Sequence, residues 1–197
     1  MGEFVLSLYM TLMAVIFAGI ANMAFCKSGV LNNLYIPMDQ GKKLKDGKRL
    51  FGDNKTWKGF FGMILFGGIF QIFWGFLLKF FPYLESLNLF YTQYNNSVIN
   101  NLWIGLLLGF AYVLFELPNS FIKRRLAIQP GKPAEDRWKW LFVFIDQADS
   151  LVGCGLILAI LVPISFQQFI GCIVIGSGTH ILVNQFLYRM KLRKNPF

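Results

Sequence analysis

Charge is scarce in this chain. Asp, Glu, Lys and Arg make up only 15% of its 197 residues, while 55% are hydrophobic and Phe alone occurs 22 times. A soluble domain of this size carries about a quarter charged residues, so the shortage argues against a water-soluble fold. Cysteine is also scarce. Cys26, Cys154 and Cys172 lie inside apolar runs. They match neither a zinc-ligand spacing nor a disulfide framework, and behave as small buried hydrophobes. The first residues, Met1–Glu3, lack a basic segment, and the apolar run after them is too long for a signal peptide. It reads as a retained span. No internal repeat or low-complexity stretch is present. The formal charge of +9 does not point to nucleic acid, because the positive charge borders apolar runs and does not form one soluble basic face.

What is present is a charge pattern. Of nineteen Lys and Arg, eight lie between Lys27 and Lys58, six between Lys123 and Lys139, and four between Arg189 and Lys194; Lys79 stands apart. Long apolar runs separate these clusters, which is the positive-inside signature of a multi-pass membrane protein. Phe4–Cys26 is 23 residues without a charge, enough to cross a hydrocarbon core of ~30 Å. Gly59–Leu78 is a second such run, of 20 residues. Ser86–Phe115 is uncharged, but Asn95, Asn96, Asn100 and Asn101 confine the third span to about Leu102–Phe115. Ser150–Tyr188 is too long for one helix, and the segment from Pro163 to Gln168 is a turn that splits it. That predicts spans over about Asp146–Val162 and Phe169–Tyr188. The expectation is an all-α integral membrane protein, residues 1–197 as a single domain, with five transmembrane helices. The N-terminus lies outside and the C-terminus in the cytoplasm. Two cytoplasmic loops, Lys27–Lys58 and Leu117–Lys139, and the tail after Tyr188 share one side. Trp57, Trp103, Trp138 and Trp140 fall at the expected interfaces.

Polar side chains inside membrane spans are rare and usually functional. Glu116, Asp146, Asp149, His180 and Asn184 all fall towards the basic ends of spans three, four and five, and Asn22 lies at similar depth in span one. Asp146 and Asp149 are three residues apart and share a helix face. Two carboxylates so placed can hold Mg²⁺ between themselves and substrate phosphates. The alternative is that Asp146 simply caps the start of span four, which leaves the second Asp unexplained. His180 and Asn184 are one turn apart and could satisfy each other. The basic loops could merely set orientation and touch anionic lipids. However, Gly41, Gly47, Gly52 and Gly59 stud the first loop, and glycine lets backbone approach a phosphate closely. Residues 52–56, Gly-Asp-Asn-Lys-Thr, lack the spacing of a P-loop.

Five stretches together resemble the CDP-archaeol synthase family, relatives of the phosphatidate cytidylyltransferases. They are Pro37-Met-Asp39; Asp46 to Gly59; Asn119 to Arg125 with Pro130-Gly131; Asp146-Gln-Ala-Asp-Ser-Leu-Val-Gly153; and His180 to Asn184. They run in order over nearly the whole chain. The resemblance implies a five-span enzyme of phospholipid biosynthesis in the cell membrane, its active site facing the cytoplasm. It would transfer CMP from CTP to a lipid phosphate, releasing pyrophosphate, with Mg²⁺ as cofactor. The implied acceptor is an isoprenoid ether glycerol phosphate. The implied catalytic residues are Lys55, Lys123, Asp146 and Asp149, the two Asp also holding metal. Asp46, Arg49, Asn119, Ser120, Arg124, His180 and Asn184 are the implied substrate-binding set.

Two features depart from the family or its relatives. The segment between Pro133 and Phe144 is longer and more charged than the family pattern, and the downstream H-G-G motif of the wider cytidylyltransferases is absent. The missing motif makes the isoprenoid ether family the nearer match, while the abundant Phe, Asn and Lys suggest a bacterial source and keep a diacyl phosphatidate open as the acceptor. A small lipid or ion transporter using the intramembrane carboxylates is a further alternative, disfavoured because polar groups gather at one end of the spans. A purely structural membrane subunit would leave the Asp pair without a role.

The charge pattern makes a direct prediction about topology. In intact cells a membrane-impermeant thiol reagent should modify a cysteine placed at Asn95 and spare one placed at Asp46. The reverse pattern would invert the orientation and put the site in the wrong compartment.

Overall fold

The computed structural model describes residues 1–130, 132 and 139–189. Gly131, Trp138, the part of the second loop at 133–138, and the tail with Arg193 and Lys194 lie outside the described residues.

Five helices are long and apolar enough to cross a membrane. They are α1 (Gly2–Lys27), α2 (Trp57–Leu78), α4 (Val98–Arg125), α5 (Lys139–Leu161) and α6 (Phe166–Arg189), with a short α3 (Pro82–Ser86) between α2 and α4. In a membrane every backbone N–H and C=O must be satisfied within the chain, and uninterrupted apolar helices do this. Side chains fix two of their starts: Thr56 Oγ1 accepts from Gly59 N at 3.2 Å, and Ser97 Oγ from Asn100 N at 3.2 Å. Among the described residues there is no β-strand, only isolated bridges pairing Pro37 with Thr56 and Lys43 with Arg49.

The helices form a closed ring. α4 packs against α2 on one side and α5 on the other, α6 follows α5, and α1 closes the ring between α6 and α2. Small residues set the α2–α4 distance. A Cβ on Gly67 would sit 2.3 Å from the Gly105 carbonyl oxygen, and one on Gly105 equally close to that of Gly67. With no hydrophobic effect to drive helix pairing in lipid, such close backbone approach supplies packing contacts instead. The core that follows, including Leu8, Leu12, Val15, Met63, Ile104, Leu108, Cys154 and Leu158, leaves all three cysteines as free thiols.

Of the helix boundaries that differ from the sequence expectation, two move the site. α4 does not stop near Phe115. It runs on through Pro118 to Arg125, so Asn119, Ser120, Lys123 and Arg124 stand on a helix and not in a loop. Proline lacks an N–H for Leu114 and usually ends a soluble helix, but a transmembrane helix held by neighbours tolerates it. α5 begins by Lys139, which places Asp146 two turns inside the helix. It is therefore not an N-cap.

The end of the ring away from the basic loops has its own polar cluster, which the sequence did not suggest. Asn101 Nδ2 donates to Asn96 Oδ1 (2.7 Å), Tyr91 Oη to Asn101 Oδ1 (2.9 Å), and Asn96 Nδ2 to Gly75 O (2.8 Å). Asn88, fully buried, donates to Met10 O at 3.0 Å. These amides carry no charge and bind each other, Tyr91, the Glu85 carboxylate and backbone. They fasten the 80–97 connection to α1, α2 and α4.

Candidate active site

One side of α4 presents Tyr112, Glu116, Asn119 and Lys123, roughly one residue per turn. Across from it α5 presents Asp146 and Asp149. The Asn119 amide bridges the two carboxylates, donating to Asp146 Oδ1 and Asp149 Oδ2 at 2.7 Å each. Lys123 Nζ bonds both oxygens of Asp146 and lies 5.5 Å from the centre of the Phe142 ring. Asp149 Oδ1 also accepts from Ser150 N at 2.7 Å. From the first loop Lys55 Nζ reaches Glu116 Oε2. Burial works against the Lys55 ammonium, but the carboxylates of Glu116, Asp149 and Asp146 outweigh it and raise its pKa above the ordinary lysine value. Lys55 thus remains a cation in the site.

This cluster unites five residues singled out in the sequence, Lys55, Asn119, Lys123, Asp146 and Asp149, and adds Glu116, to which the sequence gave no role. Its donors suit a small hard cation. Two carboxylates converge within reach of one amide, and Asn119 Oδ1 is buried without a partner among the described residues. Turning that amide over would offer a third oxygen. No soft ligand is present. Among the described residues no three His, Cys, Asp or Glu side chains gather closely enough to cage a metal. Mg²⁺ is commonly held by one or two carboxylates plus substrate phosphates and water, and the residues fit that pattern.

Arg124 is a second notable cation. It is 7% exposed, and among the described residues its Nε and Nη1 have no hydrogen-bond partner. Leaving buried guanidinium N–H groups without acceptors is costly, which makes Arg124 a natural anchor for an incoming anion. It packs under Gly52, whose φ of +96° suits glycine. A Cβ there would meet Pro130 Cγ at 2.7 Å and Arg124 Nη1 at 3.2 Å. Ser120, on the same helix, is buried.

Asp46 and Arg49 fall in a different set of contacts, which organises the first loop. The Asp39 side chain is fully buried. It binds the Arg49 guanidinium and accepts from Gly41 N (3.1 Å), Phe51 N (3.0 Å) and Gly52 N (2.9 Å). Burial opposes its charge, but Arg49 and these three N–H groups prevail and hold its carboxyl well below the usual range. Arg49 also binds Asp53. Asp46 accepts from Arg125 Nη1 at 2.6 Å, while Arg125 Nη2 and Lys48 Nζ clip to the backbone oxygens of Arg49 and Arg125 respectively. The loop is thereby fastened to the end of α4, with Lys55 beside Glu116. Lys58, wholly buried, donates to Ser28 O at 2.7 Å and closes the other side.

His180 and Asn184 do not satisfy each other. His180 Nε2 lies 3.3 Å from Tyr112 Oη. Asn184 Nδ2 donates to Gln147 Oε1 at 2.9 Å. The two residues tie α6 to α4 and α5 separately, one turn from the carboxylates.

Residues 5–197 match the model of the CarS-like CDP-archaeol synthase family. The chain is 32% identical over 161 residues to the CDP-archaeol synthase of Pyrococcus abyssi, covering 82% of this chain and 83% of that protein. It is 28% identical over 187 residues to that of Methanocaldococcus jannaschii, covering 94% and 95%. A solved structure, described as an intramembrane enzyme for archaeal membrane lipids biosynthesis, has the same fold. Its TM-score is 0.59 at 20% identity, over 89% of this chain and 91% of that one.

The loop contacts predict a specific weakness. Asp39→Asn removes the charge from a buried acceptor of five bonds, and charge-assisted bonds are worth about 1.5–3 kcal/mol each. Limited proteolysis should cut residues 28–56 markedly faster in this variant, with helix content unchanged by circular dichroism. Acid should do the same to the native protein. Because the folded pKa is depressed, Asp39 stabilises the loop fully above the ordinary carboxylate value of about 4, and this is lost as pH falls below it. Protection that is indifferent to both changes would contradict the role.

Proposed function

The chain belongs to the CarS-like CDP-archaeol synthase family, and on that premise we propose that it transfers CMP from CTP to an isoprenoid ether glycerol phosphate in the membrane, releasing pyrophosphate. The observation that carries the mechanism is the pairing of Asp146 and Asp149 on α5 with Asn119 and Lys123 on α4, at the end of the ring that bears the basic loop.

A phosphate oxygen of the acceptor attacks the α-phosphorus of CTP. The new P–O bond forms as the bond to the β-phosphate oxygen breaks, and pyrophosphate leaves with that electron pair. Two anions must meet, so the protein's task is positioning and charge neutralisation more than covalent chemistry. Lys55 and Arg124 offer cations to the nucleotide phosphates. Lys123 now binds Asp146, and an arriving triphosphate competes for its ammonium. Moving Lys123 and turning the Asn119 amide would free the carboxylate oxygens for Mg²⁺. That ion, when bound, supplies charge neutralisation at the phosphates and the leaving group. Lys55 and Lys123 pair with Glu116 and Asp146 in the cluster, so substrates can exchange partners with them and leave no bare charge behind.

CTP comes from the cytosol and the acceptor from the inner leaflet of the cell membrane. The clustering of basic residues beside this site supports a cytoplasmic orientation.

Asp146→Asn and Asp149→Asn keep size and polarity and remove one charge each. CMP transfer by purified protein should fall by at least about 100-fold in each, with expression and membrane insertion intact. Lys123→Gln should impair transfer similarly, while Lys194→Gln should leave it nearly native. With matched detergent, turnover on a digeranylgeranylglyceryl phosphate should exceed that on a diacyl phosphatidate. Near-native transfer in both Asp variants at saturating Mg²⁺ would refute the metal assignment. Equal or better use of the diacyl lipid would refute the acceptor.

A further inference from the structure

α6 is the least secured member of the ring. Only 17% of its most apolar window is buried, against 39–50% in the other four spans. It meets α1 near the end remote from the basic loops. There a Cβ on Gly171 would lie 2.6 Å from Leu8 Cδ1 and 3.2 Å from Phe4 Cζ. Farther along, Tyr9 Oη and Thr179 Oγ1 are 3.3 Å apart. Beyond this the two helices leave a crevice lined by Gly19, Ile20 and Met23 of α1 and by Gly176, His180 and Val183 of α6, with Tyr112 and Leu151 at its back. A Cβ on Gly19 would meet only Tyr112 Oη, at 3.7 Å.

Tyr112, at the back of the crevice, adjoins the carboxylate cluster. Tyr112 precedes Glu116 by one turn on the same helix, its hydroxyl sits beside Ser150, and Glu116 and Asp149 are close enough to act on it electrostatically. Its apolar flank suits a hydrocarbon chain, and the Tyr112–His180 pair offers a polar handle between that flank and the charged cluster.

We propose that the lipid phosphate acceptor enters the site sideways between α1 and α6, its phosphate passing Tyr112 and His180 towards Asp149 while its first isoprenoid units lie against Gly19, Ile20 and Val183. This rests on the CMP-transfer reading for the identity of the acceptor. The crevice encloses only about 30 Å³ in this structure, room for a water or two, so a chain parts α6 from α1 as it enters. The sparse burial of α6 makes it the helix that gives. Gly19 is the position at which side-chain bulk controls entry.

The test uses an isoprenoid glyceryl phosphate bearing a diazirine on its first isoprenoid unit, in liposomes with full-length protein and no CTP. After irradiation, mass spectrometry should find adducts within residues 19–23 or 176–183. Gly19→Leu should reduce that labelling at least about fivefold and raise KM for the acceptor by a similar factor, leaving KM for CTP unchanged. Gly19→Ala, whose added methyl makes an ordinary contact, should behave as the native protein. Adducts confined to the outer faces of α2 and α4, or a Gly19→Leu variant with native labelling, would overturn the proposal. If adducts map to α1 and α6 but no CMP transfer occurs, the entry route stands and the proposed reaction fails. If transfer is robust but labelling lies elsewhere, the reaction stands and the route fails.

Discussion

Everything at the basic end of this protein turns on two carboxylates that must be kept within a membrane-embedded ring. Bare charges there are expensive, and Asp146 and Asp149 lie two or more turns inside α5. The chain answers with α4, which carries Asn119 and Lys123 to meet them. That requirement explains why α4 continues past Pro118. Had the helix ended at Phe115, as its apolar run suggests, the amide and the ammonium would be on a loop and the carboxylates unpaired. The same pairing is replaceable. An ammonium and an amide are the groups that a metal ion and a nucleotide phosphate can displace, so the contact that stabilises the ring without ligand also marks where ligands would bind.

The second constraint lies outside the ring. A loop of nearly thirty residues has no strand or long helix to shape it, yet it must hold Lys55 against Glu116. Asp39 does this from the inside, by gathering Arg49 and three backbone N–H groups around one buried carboxylate. Arg125 does it from the outside, through Asp46 and the Arg49 carbonyl. Asp46 and Arg49 thus act on the site through the loop. Arg124, buried beside Gly52 with unpaired N–H groups, faces the same loop and is the member of the basic cluster most in need of an anion.

Much of this was legible in the sequence, for a physical reason. Spans of about 20 uncharged residues have few ways to fold in a bilayer, so five helices followed from the apolar runs, and the i, i+3 spacing of Asp146 and Asp149 placed them on one face. Helix ends were less legible, because Pro118 and the charges around it resemble a loop until the neighbouring helices are known. Long-range partners were not legible at all. Asp39 to Phe51 and Gly52, Asp46 to Arg125, and His180 to Tyr112 are set by how the ring closes, and no local spacing encodes them. The expected His180–Asn184 pair failed for the same reason. One helical turn makes two residues neighbours, but Tyr112 and Gln147 on facing helices offered each a better-placed partner. Gln147 sits between the two Asp residues in sequence, which in retrospect marks the face of α5 turned towards α6.

The central claim is that this ring moves a CMP group onto a lipid phosphate. It is tested most directly by following the label when purified protein in liposomes receives isoprenoid glyceryl phosphate, Mg²⁺ and CTP carrying ³²P at either the α or the γ position. The account predicts that α-label enters the lipid phase and γ-label stays in water as pyrophosphate. Label from the γ position in the lipid would identify a kinase, and label from neither would remove nucleotide chemistry from this site; either result would contradict the account.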